Sequence, residues 1–154
     1  MNQKIMYWLR TLWHFIIRNY FVFFWVPVYA YMGLMFQVSS VPNPLEALPG
    51  AELAVKLFST WASSILHIVE YFVLSMLLGV AFRHSRHNFF VKHSFLLAFI
   101  ISALFGMSDE IHQLFVPGRF CTISDIGFDS LGALAAQVAR KIVKLEKNYL
   151  DKIF

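Results

Sequence analysis

Four long apolar runs, parted by short polar or turn-rich segments, make up most of the chain. The first covers about 20–38 through Phe21-Val22-Phe23-Phe24-Trp25, with Pro27 inside it. Proline lacks a backbone N–H, so a kink is expected there. The second covers 61–82, the third 94–115 and the fourth 123–143. At ~1.5 Å per residue, a helix of about 20 residues crosses a ~30 Å hydrocarbon core. The runs are continuously apolar rather than alternating, which predicts helices and not barrel strands. The expected fold is all-α: an integral membrane bundle of four transmembrane helices in a single domain, 1–154.

The intervening segments are plainer. In 1–19, Arg10, His14 and Arg18 recur every four residues among aromatic and aliphatic neighbours. That is a basic stripe on an amphipathic helix, read either as an interfacial helix on an anionic leaflet or as a cytoplasmic extension of the first span. Residues 39–57 read as a loop punctuated by Pro42, Pro44 and Pro49. Residues 83–93 are short and basic, with His84, His87 and His93 as part of that basic surface. Pro117-Gly118 marks a turn, and the tail from Lys144 is charged and helical.

Composition supports the membrane reading. The 154 residues are 58% hydrophobic and only 14% charged, whereas a soluble domain carries about 25% charged residues. A chain this small cannot bury so much apolar surface by folding alone. The net charge of +4 is therefore read as topology and not as nucleic-acid affinity. Eleven Lys and Arg fall in 1–19, 83–93 and 140–154, against Lys56 and Arg119 on the other side. The amino terminus, middle loop and carboxyl terminus are thus expected in the cytoplasm. Cys121, the single cysteine, excludes an internal disulfide. No cleavage site follows a short apolar core, so the first span is expected to stay in the mature protein.

This orientation gathers the polar residues of the spans near the outer face. His67, Glu70 and Tyr71 share one face of the second span, and Asp109, His112 and Gln113 repeat that spacing in the third. Glu110 lies beside them. Asp125 and Asp129 stand one turn apart at the start of the fourth. Ser102 and Gly106, and Gly132 and Ala136, continue two of these faces with small residues that permit close helix approach. The inner halves, Phe72–Val80 and Phe95–Leu104, are nearly free of ionisable groups. A carboxylate or imidazole in a bilayer costs a few kcal/mol. Five carboxylates and two histidines at one level therefore point to a pocket open to the outer leaflet, with a polar network that only locks helices as the alternative.

The chemistry of these groups is acid–base. Crowded carboxylates do not all ionise, so one of Glu70, Asp109 and Glu110 is expected to keep its proton and serve as general acid. His67 is the candidate base or shuttle. Catalytic candidates are thus His67, Glu70, Asp109 and Glu110. Candidate substrate contacts are Tyr71, Gln113, Arg119, Asp125 and Asp129, with the Arg119 guanidinium suited to a phosphate or carboxylate. His67, Glu70, Asp109, His112 and Asp125 are ligand types, but no metal motif is present and no metal or cofactor is assigned.

Several of these stretches resemble the VanZ-like family: Ser39-Ser40-Val41-Pro42, Leu66-His67-Ile68-Val69-Glu70-Tyr71, and Ser108-Asp109-Glu110-Ile111-His112-Gln113 running through Pro117-Gly118-Arg119. Asp125, Asp129 and Gly132 continue the pattern in order and spacing. The family often has Asp-Lys where this chain has Ser63-Ser64, and Asn where it has Asp129. The family's namesake is linked to resistance to the glycopeptide teicoplanin. The resemblance implies a bacterial plasma-membrane protein of the cell envelope. Its expected partners are membrane lipids, a lipid-linked precursor or a glycopeptide, and no nucleic acid. Three functions follow as expectations: binding or modifying an envelope lipid, acid–base hydrolysis or transfer, and a structural or accessory subunit.

Overall fold

The computed structural model describes residues 3–42, 52–119 and 121–153. Pro44 and Pro49 of the expected loop lie outside them. The order is α1 (Gln3–Arg18), a π-helical turn (Phe21–Trp25), α2 (Val26–Ser39), α3 (Glu52–Arg83), α4 (Asn88–Lys92), α5 (Ser94–Gln113) and α6 (Ile123–Ile153), with no strand among the described residues. Among the described residues, three stretches are long and apolar enough to cross a membrane: Phe21–Ser39, Ser63–Arg83 and Ser94–Gln113. Over the described residues the chain is all-helical, with three candidate membrane-spanning helices. The fourth expected run lies in α6, where Asp125, Asp129, Arg140 and Lys141 interrupt the apolar sequence.

Two expected boundaries move. The loop read to residue 57 ends sooner, because α3 already begins at Glu52. After Pro49-Gly50 no breaker follows, and Glu52-Leu53-Ala54 are good helix formers with the acid in the first turn. The third helix stops at Gln113 rather than 115, just short of Pro117. The expected kink at Pro27 takes a specific form. Pro27 cannot donate to the carbonyl four residues back, and the turn before it widens, with Val26 N–H donating to Phe21 O.

α3 is the central element. It packs most extensively on α6 and then on α5, which also contact each other, while α2 adds a shorter contact. Tyr71, Leu74, Leu78, Ala81 and Phe82 of α3 form the apolar core with Val28 and Met35 of α2 and Ala98 of α5. At the other end of the bundle from Tyr71, Arg86 donates to Arg18 O (3.0 Å) and lies over the Tyr20 ring, which holds the end of α1 against the 84–87 turn.

The burial pattern is inverted relative to a water-soluble domain. Among the described residues, as many polar side chains as apolar ones are buried, including His67, Asp109, Glu110, Asp129 and Gln137. Leu, Ile, Val and Phe cover the outside of every long helix. On α6, Asp129 and Gln137 point inward while Leu131, Leu134, Val138 and Ile142 point outward. Only a non-aqueous surrounding favours that arrangement.

The turn between α5 and α6 follows from two residues. Pro117 fixes φ at the second position and Gly118 takes φ 72° at the third, closed by Arg119 N–H donating to Val116 O at 3.1 Å. This is a type II turn, and it needs glycine there. Gly118→Ala should cost about 1–2 kcal/mol. A lowered melting temperature in detergent, with helical content unchanged, would register it.

Candidate functional site

On α3, His67, Tyr71, Ser75 and Gly79 recur every four residues and form one stripe. On α6, Asp129, Ala133, Gln137 and Arg140 form another. The two stripes meet along a polar seam. His67 Nδ1–H donates to Asp129 Oδ1 at 2.8 Å. About two helical turns further in, Ser75 Oγ donates to Ala133 O (3.0 Å), and Gln137 Nε2 donates to Ser75 O (2.7 Å) and Oγ (2.8 Å). At the far end Arg140 donates to Gln137 Oε1 (2.5 Å) and to Gly79 O (2.7 Å).

Two glycines allow this approach. A Cβ on Gly132 would fall on the Ile68 carbonyl oxygen, so the α3 and α6 backbones touch there. A Cβ on Gly106 of α5 would lie 2.7 Å from Asp129 Oδ2, so the carboxylate occupies the space that glycine leaves. Asp129 is 1% exposed.

Glu110 of α5 completes the centre and is 0% exposed. Its Oε2 accepts the Thr122 N–H at 3.0 Å. That N–H precedes the first turn of α6, where unpaired donors and the helix dipole favour a carboxylate. The Thr122 hydroxyl donates to Asp125 Oδ2 (2.5 Å) and accepts from Asp125 N–H (3.3 Å). Asp125 is therefore occupied in capping α6. One nitrogen of His67 and one oxygen each of Glu110 and Asp129 lie within 4.8 Å of one another.

A half-open cavity of about 90 Å³ adjoins this centre. Its polar wall is Ser63, His67, Glu70, Asp109, Gln113 and Arg119, and Met35 and Val38 of α2 form an apolar side. Gln113 Nε2 donates to Asp109 Oδ2 at 3.1 Å. Arg119 is steadied by a bond from Nε to Val41 O at 3.1 Å, and is the only lysine or arginine of the wall among the described residues.

The nine candidate residues thus divide by place. His67, Glu110 and Asp129 converge. Glu70, Asp109, Gln113 and Arg119 join His67 around the cavity. Tyr71 is fully buried beside Phe105, with ring centroids 6.4 Å apart. His112, placed with the cluster by spacing, turns the other way. It stacks on Phe36 (4.2 Å) and its Nε2–H donates to Ser40 Oγ at 2.9 Å. The inner halves are also less apolar than expected, because α6 delivers Gln137 and Arg140 to α3. The signal for that was in the sequence, since Gln137 and Arg140 continue the spacing of Asp129 and Ala133.

A family model described as VanZ/LLP1 matches residues 3–144. No curated protein and no solved structure matches the chain.

Proposed function

The chain belongs to the VanZ/LLP1 family, and from that premise we propose that it is a cell-envelope protein that holds the anionic headgroup of an envelope lipid or lipid-linked precursor. The observation that carries this reading is the cavity itself. It is half open, its wall is polar, and one guanidinium stands among its carboxylates. A volume of about 90 Å³ has room for several water molecules, since one needs roughly 10–15 Å³ of probe volume. It suits a phosphate or carboxylate group and favours a lipid headgroup over a whole glycopeptide.

In this reading α6 is a fourth span. Its apolar residues face outward, and it runs against α3 and α5 through their apolar length. An even number of spans puts both termini on one side. The lysine and arginine distribution assigns that side to the cytoplasm of a bacterial plasma membrane and opens the cavity to the outer leaflet. Arg119 supplies directional charge-assisted hydrogen bonds to the anion, and Gln113 a neutral donor.

The His67–Asp129 pair favours a second reading, an acid–base hydrolase or transferase acting on the same headgroup. The carboxylate fixes the imidazole tautomer and leaves Nε2 available as a proton acceptor.

Native mass spectrometry of the protein extracted with its own membrane lipids tests the proposal. A discrete anionic lipid should remain bound and be lost, by about tenfold or more in occupancy, in Arg119→Ala. Finding only bulk lipid, indifferent to the substitution, would end the headgroup reading.

A further inference from the structure

We propose that His67, Glu110 and Asp129 form a binding site for one divalent transition-metal ion, with Zn²⁺ and Mn²⁺ the best-matched species. Three helices each contribute one ligand: α3 the imidazole, α5 and α6 the carboxylates. Their donor atoms lie within 4.8 Å of one another. Bonds of about 2.0–2.2 Å to a common ion require only small side-chain movements from that spread.

A second observation points the same way. Glu110 Oε1 and Asp129 Oδ2 are buried with no hydrogen-bond partner among the described residues, on side chains 0% and 1% exposed. Glu110 is held through its other oxygen by Thr122 N–H. Asp129 Oδ1 faces His67 Nδ1 at 2.8 Å, and an ion would replace that hydrogen bond, with Nδ1 as the ligand and the imidazole proton moved to Nε2. A buried carboxylate oxygen without a partner is costly in an apolar surrounding. An ion satisfies both at once. Two carboxylates, a neutral imidazole and a divalent cation also sum to no net charge, the least costly total for a site inside a helix bundle. The donor set is mixed, one imidazole with two carboxylates. It is softer than the all-oxygen sites of Mg²⁺ and Ca²⁺ and fits a transition ion better.

Three protein ligands leave a position for water or for an oxygen of a bound molecule. His67 belongs both to the ligand set and to the cavity wall, which joins the ion to the cavity. A cation there also reconciles a wall rich in carboxylates with an anionic guest, since a phosphate oxygen can share the ion with the protein. The metal site stands on its own residues and not on the headgroup reading.

Tag-free protein in detergent, stripped with a chelator and dialysed against Zn²⁺ or Mn²⁺, should retain about one ion per chain by elemental analysis. Glu110→Gln keeps the shape of the side chain and its bond to Thr122 while removing the charge. It should weaken ion affinity at least tenfold, with a metal-free melting temperature close to wild type. Arg119→Ala, which is outside the ligand set, should leave ion affinity within about threefold while losing the lipid. X-ray absorption on the loaded wild type should show one imidazole and two carboxylate ligands, and this measurement stands even if the variant does not fold. No stoichiometric ion in the wild type, or a ligand sphere lacking imidazole, would overturn the proposal and leave protons as the neutralising species.

Discussion

Gly132→Val should leave little folded protein. Even the Cβ of an alanine at this position falls on the Ile68 carbonyl oxygen, and backbone cannot swing aside as a long side chain can. α6 must instead move away from α3, and the contacts flanking Gly132 open with it. On one side is the His67–Asp129 bond, on the other the Ser75–Ala133 and Gln137–Ser75 bonds. Each buried polar group stripped of its partner costs about 1–3 kcal/mol. Losing several sums to roughly 5 kcal/mol or more, comparable with the whole stability of a marginal fold. Gly127, five residues earlier, has open space around its Cβ position, so Gly127→Ala should be tolerated. The readouts are yield of monodisperse protein in detergent and its melting temperature. A Gly132→Val protein that extracts and melts like wild type would contradict the close backbone contact on which the seam depends.

Much of the architecture was legible because the membrane imposes simple rules. Twenty apolar residues in a row have few alternatives to a spanning helix, and the runs at 21–39, 63–83 and 94–113 needed no tertiary information. The shared faces of His67 with Tyr71, and of Asp109 with Gln113, followed from helical period alone. What period cannot supply is the rotation of one helix relative to its neighbours. His112 shares a helix face with Asp109, yet the arrival of α2 draws it to Phe36 and Ser40. Asp125 and Asp129 share another face, yet Thr122 claims the first for helix capping and only the second reaches His67. Glu110 looked like one acid among several. Its importance comes from the start of α6, whose Thr122 N–H holds it beside two other helices. The early start of α3 was hidden by the prolines before it, whose influence ends sooner than their density suggests. The widened turn at Phe21–Trp25 was visible only as a proline, because the sequence shows that a hydrogen bond is missing but not where the backbone relaxes.

A double substitution separates the site's function from its role in holding helices together. Asp129→Leu alone should destabilise the protein by about 3–5 kcal/mol, because it strands His67 in a buried position with nothing to accept its N–H. His67→Leu/Asp129→Leu replaces both members with apolar side chains of similar length. It should recover most of that loss, since a buried polar pair contributes little net stability compared with well-packed hydrocarbon. The two leucines would face each other where the pair stood, the one at 129 filling the space that Gly106 leaves, with no unmet donor left. If the pair serves only to lock α3 to α6, the double variant should be indistinguishable from wild type in every respect, including the lipid and ion it retains. If the pair is the working centre, stability and function must come apart: a melting temperature near wild type, with ion binding lost and the headgroup released. A double variant that is both stable and fully loaded would reduce His67 and Asp129 to packing, and Glu110 with them, since its only remaining neighbours of consequence would be the donors at the start of α6.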